Sequence, residues 1–332
     1  MTTSPTSQTR AALQHDVDHP GTTRVLAIAG LGRSGSTLIE GALADGQQLV
    51  ALGEVVHLWD HALGRDELCA CGTPFGECAF WSAVGAEAFG GWDRVDLARM
   101  RSLQAKVDRV VNLPRIAGHG TRTGFRRELL DYVWHYERIY QSAATISGAR
   151  MVIDSSKQPS LVAALLTSER LDVRVLHCVR DSRAVAHSWT KQVRRPEARD
   201  DAGAFMTRYS PATTARHWNI HNGAADALRL LGARVERVRY EDFVEDAPAT
   251  VTRIQRFAGL VPGPPAGLTR HTVEMAPQHR CSGNPMRFST GLVAVRRDDA
   301  WRTAMSARDQ RTVSLLRAPL LRRYGYTVRP SS

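Results

Sequence analysis

Glycines, one arginine and three hydroxyl residues crowd the middle of Arg24–Leu43, RVLAIAGLGRSGSTLIEGAL. Such a set can cradle an anion. The glycines let backbone N–H groups converge, and a following helix N-terminus adds partial positive charge. The frame nearly matches the triphosphate loop G-x-x-x-x-G-K-[ST]. Gly30 and Gly35 keep its spacing and Thr37 takes the Ser/Thr position, but Ser36 stands where the lysine belongs. The cation has moved inside the loop, to Arg33. That lysine serves the β- and γ-phosphates of a triphosphate, so its loss argues against ATP or GTP hydrolysis. An arginine at this point suits a nucleotide with a 5′-phosphate and one further anionic group. A βα turn using its glycines for tight geometry alone would read the same way.

Other residues with chemistry fall just after apolar runs. Gln48–Leu52 ends at Gly53-Glu54, which makes Glu54 a candidate base, or a carboxylate favoured by a helix N-terminus. His57 follows three residues on, on the same face if a helix begins there, and is the second candidate base. Met151–Ile153 runs into Asp154-Ser155-Ser156-Lys157. Asp154 reads as a weak Walker B carboxylate, implying Mg²⁺, or as a turn residue. Lys157 reads as a charge-neutralising lysine or an exposed turn lysine. Val173–Val179 leads into Arg180, with Ser188 two turns along the next helix, so fork and hydroxyl can meet on one anion. Asn284 and Arg287 sit in the turn Cys281–Phe288, and Arg296, Arg297 and Trp301 follow in an irregular stretch that fits a flap over a phosphate or base. Pro114–Arg127 carries four arginines without hydrophobic periodicity and reads as a mobile basic loop, either a lid over an anionic substrate or simply solvated.

Cys69, Cys71 and Cys78 cluster within ten residues, with His57 and His61 upstream. The set could bind zinc tetrahedrally, but C-x-C-x₆-C is not the usual paired spacing. A local disulfide and a packed, reduced insertion stay open beside it, and no residue is assigned as a metal ligand.

The elements that must position these residues alternate. Apolar strands at Arg24–Ala29, Gln48–Leu52, Met151–Ile153, Val173–Val179 and Arg234–Arg239 are separated by helical patterns. Those helices are expected from Ser36, over Val95–Leu113, Arg127–Ser147, from about Ser182, and over Pro211–Leu231, Pro248–Ala258 and Arg311–Tyr324. This predicts a three-layer α/β fold with a parallel sheet of about five strands covered on both faces, like that of P-loop NTPases. Residues 1–22 read as a disordered tail. Residues 23–328 read as one domain, with a cysteine-bearing insertion over 55–92.

The chain has 332 residues, 43% hydrophobic and 23% charged, an ordinary globular composition. Its net charge of +11 suits anionic ligands. No apolar run is long enough to span a bilayer and no signal-peptide core opens the chain, so a cytoplasmic location is expected. A kinase-like phosphotransferase remains an alternative, although it normally needs Mg²⁺ and the missing lysine. A basic nucleic-acid-binding protein is the alternative outside catalysis. Against it, the arginines are dispersed and no helix-turn-helix, zinc-finger or stacking pattern is present.

Taken together the motifs resemble the sulfotransferases that use 3′-phosphoadenylyl sulfate (PAPS), and among them bacterial members. GRSGSTL, Gly32–Leu38, resembles the family's 5′-phosphosulfate loop, which implies donor contacts from Gly32, Arg33, Ser34, Gly35, Ser36 and Thr37. VRDSRAVAHS, Val179–Ser188, resembles its 3′-phosphate element, which pairs an arginine with a serine eight residues on, here Arg180 and Ser188. SGNPMRF, Ser282–Phe288, is similar to a loop of many bacterial members and adds Asn284 and Arg287. The Cys69–Trp81 segment also resembles a feature of those members. The resemblance spans residues 24 to about 301. It implies Glu54 as base and Lys157 as stabiliser of the transferred group, by analogy with the tyrosylprotein branch. The histidine motif of the small-molecule branch has no clear counterpart. It further implies PAPS as co-substrate, no Mg²⁺ or other metal for the reaction, and a turn role for Asp154. The acceptor and the oligomeric state are not legible.

Overall fold

Strand β1, Thr23–Gly30, is apolar and buried from Val25 onward because both of its faces are covered. Alternate side chains serve opposite layers. Val25, Ala27 and Ala29 pack into one core with the helices Thr123–Ser147 and Pro159–Leu165. Leu26 and Ile28 pack into the other with the helices Ser36–Leu43 and Ala247–Ala258. The remaining sheet strands are β2 (Leu49–Ala51), β3 (Met151–Lys157), β4 (Leu171–Val179) and β5 (Arg234–Arg239). Their order is β2-β3-β1-β4-β5, and every pair is parallel. The expected three-layer α/β architecture with a five-stranded parallel sheet is therefore what the chain adopts. This computed structural model describes residues 21–44, 48–118, 123–197 and 204–328. Most of the predicted tail, and residues 119–122 of the basic loop, lie outside that range.

Parallel order puts the C-terminal ends of all five strands on one edge, where open α/β sheets bind ligands. Two details shape that edge. The β1–β3 register slips between Ala27↔Asp154 and Ala29↔Lys157, a bulge that re-aims the end of β3. Asp154 lies within that strand rather than in a turn. It is buried, accepting from the Tyr140 hydroxyl at 2.5 Å and from the Ser156 backbone N–H and hydroxyl. Ser156 Oγ in turn accepts from the Val56 N–H at 2.9 Å, tying the bulge to the segment that carries Glu54 and His57.

Three expectations change. The helix expected over Val95–Leu113 stops at Val107, and a 3₁₀ turn at Val110–Asn112 separates it from a short helix, Leu113–Ala117. The break falls at Asp108, whose buried carboxylate accepts from Ser160 at 2.6 Å and Tyr132 at 3.3 Å. The described part of Pro114–Arg127 is ordered structure. Pro114 sits in the first helical turn, where it is tolerated, Ile116 is buried, and the Arg115 guanidinium lies 3.7 Å from the Phe125 ring centroid. A small antiparallel pair, β6 (Thr272–Met275) with β7 (Gly291–Ala294), carries the C-terminal flap. Its strands are short and far apart in sequence, so no turn signal announces them.

Candidate active site

The loop after β1 needs its glycines. At Gly30, φ is 130° and a Cβ would lie 2.4 Å from the Cys178 carbonyl oxygen. At Gly35, φ is 82° and a Cβ would lie 2.4 Å from the Tyr240 ring. Among described residues other than glycine, positive φ occurs only at Arg33, Asp66 and Lys157. Two of those three are candidate site cations, and strained backbone of this kind concentrates at functional sites.

These strand ends surround a cleft of about 920 Å³. Gly32, Arg33, Gly35, Ser36 and Thr37 line it from the loop, Glu54 from beyond β2, and Lys157 from β3. Arg180 and Ser188 line it from beyond β4, and Asn284 with Arg296 and Arg297 from the flap side. Ten of the residues predicted to act in catalysis or hold the donor, some more than 200 positions apart, are thus brought together with the flap arginines Arg296 and Arg297. The cleft's cations are Arg33, Lys157, Arg180, Lys191, Arg296 and Arg297, set against Glu54, Asp298 and Asp299. That balance favours an anion.

Lys157 Nζ donates to Glu54 Oε1 at 2.8 Å and to the Ser155 carbonyl at 2.6 Å. Burial opposes ionisation of Glu54, but the Lys157 charge and hydrogen bond, with smaller help from Arg287, outweigh it and leave the carboxyl below its ordinary pKa. Glu54 is therefore a carboxylate at neutral pH. His57 Nε2 lies 3.6 Å from Glu54 Oε2, and its ring stacks on His61 at 4.8 Å. Desolvation lowers the His57 pKa, more strongly than Glu54 raises it. Its side chain keeps 43% of its surface exposed, so that desolvation is partial, and the ring is neutral at pH 7. His57 stands behind Glu54 rather than in the cleft lining.

Arg33 makes no ion pair among the described residues. Its Nη2 meets only the Met206 sulfur, at 3.0 Å, and its guanidinium faces the Trp189 ring at 5.4 Å. It is a partly desolvated cation held ready for an anion. Arg180 lies over the Tyr240 ring at 4.5 Å and donates to the Arg33 carbonyl at 3.3 Å. Its Nη2 donates to Asp298 Oδ2 and to the Asp298 carbonyl, each at 3.0 Å. A flap carboxylate therefore holds the arginine that was read as a phosphate fork.

Ser34 and Arg287 are placed elsewhere. Ser34 is buried within the loop and is not among the residues lining the cleft. Arg287 is buried on Glu197 at 3.1 Å and donates to the carbonyls of Gly283 at 2.7 Å and Leu68 at 3.3 Å, which anchors the loop carrying Asn284. The described part of the basic loop contributes nothing to the lining. Sequence reasoning missed Tyr240, Trp189, Lys191, Met206 and Asp298. Tyr240 had a signal, since it directly follows a strand of the sheet. Trp189 and Lys191 sit beside Ser188, whereas Met206 and Asp298 had none. Glu40 was also missed. It is buried in the Ser36–Leu43 helix, accepting from the Gly53 N–H at 3.2 Å and the Ser155 hydroxyl at 3.1 Å, and so binds the ends of β2 and β3 together.

The strand ends of the parallel sheet thus gather a glycine-rich loop, a carboxylate–lysine pair, an arginine and a serine around one cation-rich cleft. A sulfotransferase family model matches residues 26–261, most of the chain, and the protein belongs to the sulfotransferase family. The sulfotransferase domain from the Synechococcus PCC 7002 olefin synthase is similar at 20% identity, covering 91% of this chain and 96% of that one with a TM-score of 0.42. No curated protein matches the chain. No helix among the described residues is long and apolar enough to cross a membrane.

Proposed function

We propose that the protein transfers the sulfuryl group of PAPS to an acceptor hydroxyl, or to an amine, and releases adenosine 3′,5′-bisphosphate. The observation that carries this reading is the meeting of Arg33, the Glu54–Lys157 pair and the Arg180–Ser188 pair in one cleft. PAPS has two separated anionic ends. The Gly32–Thr37 loop suits the 5′-phosphosulfate, and Arg180 with Ser188 suits the 3′-phosphate, once Asp298 yields its place.

In the transfer, the acceptor oxygen forms a bond to sulfur as the bond from sulfur to the bridging oxygen of the 5′-phosphate breaks. The acceptor proton passes to Glu54, and the electron pair of the broken bond stays on the departing bisphosphate. Glu54 qualifies as base because it is ionised and lines the cleft, while His57 borders it and positions it. Arg33, Lys157 and the loop N–H groups would stabilise charge gathering on the sulfuryl and bridging oxygens, the kind of preorganised electrostatics that dominates many active sites. Each of these roles is held by a protein group, so the mechanism calls on no metal.

The test is calorimetric binding of adenosine 3′,5′-bisphosphate and of ADP without Mg²⁺, in the native protein and in Arg180→Ala. Tight bisphosphate binding, weak ADP binding and loss of the former in the variant are expected. ADP binding that wins, and strengthens with Mg²⁺, would overturn the reading in favour of a phosphotransferase.

A further inference from the structure

We propose that Cys69, Cys71, Cys78 and His279 form a closed, structural zinc site that clips the cysteine-bearing insertion to the loop behind Glu54. The four side chains converge from two segments about 200 residues apart in sequence. Their ligand atoms all lie within 4.8 Å of one another. Cys78 Sγ is 3.6 Å from Cys69 Sγ, 3.7 Å from Cys71 Sγ and 3.3 Å from His279 Nδ1. A tetrahedral zinc with Zn–S near 2.3 Å and Zn–N near 2.05 Å has S···S and S···N edges of about 3.8 and 3.6 Å, so the cage is close to size. All three cysteines are free, and with Cys78 Sγ 3.6 and 3.7 Å from the other two sulfurs no disulfide is formed among them. His57 and His61, the histidines nearest in sequence, do not join them. They stack on each other, and His61 Nδ1 lies 3.4 Å from Glu67.

The surroundings are built for ligation. The Cys69 N–H donates to the Thr73 carbonyl and the Gly72 N–H to the Cys69 carbonyl, both at 2.9 Å, with Gly72 at φ 90°. This tight turn presents Cys69 and Cys71 together, and Cys78 caps the helix Ala79–Phe89 beside them. His279 is oriented from three directions. Trp81 Nε1 donates to its carbonyl at 2.6 Å, the Phe80 ring stacks on its imidazole at 5.0 Å, and its Nδ1 faces the sulfurs. Such outer contacts are what fix a ligating histidine's ring.

A second observation is the charge next door. Arg280 is 1% exposed, and among the described residues none of its three guanidinium nitrogens has a hydrogen-bond partner. Zinc with three thiolates and a neutral imidazole carries one net negative charge, which would offset that buried cation.

With four protein ligands the site has no open position, as in structural rather than catalytic zinc sites. Its consequence runs to Glu54. The His279–Arg287 strip is joined to the insertion by the Ala70 N–H to Arg280 carbonyl bond at 3.0 Å. It is joined to the base by the Glu54 N–H to Ser282 carbonyl bond at 3.2 Å. At Gly283 a Cβ would sit 2.9 Å from Glu54 Oε1, so the strip forms the wall against which the carboxylate rests.

The test is zinc content of the full chain purified under reducing conditions, by plasma mass spectrometry, in the native protein, Cys71→Ser and His279→Ala. Cobalt replacement in the native protein is the companion measurement. About one zinc per chain, at least a roughly fivefold loss in both variants, and the d–d and thiolate charge-transfer bands of tetrahedral cobalt are expected. Should a variant fail to fold, the native protein's zinc content and cobalt spectrum decide. No zinc after reconstitution, zinc undiminished in the folded variants, no tetrahedral cobalt bands, or a disulfide mapped among Cys69, Cys71 and Cys78 would each overturn the proposal.

Discussion

Asp298→Asn should tighten binding of adenosine 3′,5′-bisphosphate. In the free protein Asp298 holds Arg180 through two contacts at 3.0 Å, and Lys191 stands 3.9 Å from the same carboxylate. A 3′-phosphate on Arg180 must displace that carboxylate and then face it. Asp298 is 38% exposed, so the pair it gives up counts as a screened one, about 0.5–1 kcal/mol. The residual repulsion between one carboxylate and a dianionic phosphate about 6 Å apart, at an effective dielectric near 60, is about 1.8 kcal/mol. Physiological salt roughly halves it. Together these give about 1.4–1.9 kcal/mol, a gain of roughly 10- to 25-fold in affinity. Asparagine's one amide oxygen can still accept from Arg180, and the Arg180 bond to the residue 298 backbone carbonyl at 3.0 Å is untouched; only the long Ala300 N–H contact at 3.4 Å is given up, so the flap is not cut loose. The assay is calorimetry at 0.15 M salt, repeated at higher salt, where the gain should shrink. Unchanged or weaker binding would refute the displacement argument and make Asp298 a support of the bound flap instead.

Glu54→Gln should lower kcat by about 10²–10⁴-fold while bisphosphate affinity stays near native, whereas His57→Ala should cost far less; steady-state kinetics beside calorimetry checks the split. Lys157→Met removes the charge that overcomes burial at Glu54, so the Glu54 pKa rises and the acid limb of the kcat/KM profile should move to higher pH. An acid limb that stays in place would assign it to another group. Asp226 accepts from Arg237 at 2.6 Å and Tyr324 at 2.9 Å, and Arg323 and His177 stand at 3.1 and 3.5 Å. Burial opposes its ionisation, but these partners, His177 first, hold its pKa below the ordinary value. Its contribution to stability is therefore present above the unfolded carboxyl pKa and lost as pH falls through the folded one. Asp226→Asn should cost about 2–4 kcal/mol at pH 7 in denaturant unfolding, with the deficit narrowing toward pH 3.

Much of the site was legible because parallel α/β chains place chemistry at strand ends, and strand ends can be read from apolar runs. Arg33, Glu54, Lys157 and Arg180 each follow such a run, and each lies in the cleft. The glycines at 30 and 35 were legible too, since a tight anion loop demands their backbone freedom.

Other features depended on contacts no local pattern encodes. Arg287 looks like a flap cation by type, yet Glu197 takes its charge into the core. Asp298 was invisible because its meaning lies in facing Arg180, 118 residues away. The four-ligand cluster shows the division most sharply. The sequence by itself determined three thiols within ten residues and the chain's capacity for a parallel sheet. Only the tertiary structure decided that His279, and neither His57 nor His61, stands beside those thiols. A fourth ligand is chosen by distance in space, and folding alone brings residue 279 within bonding range of residue 78.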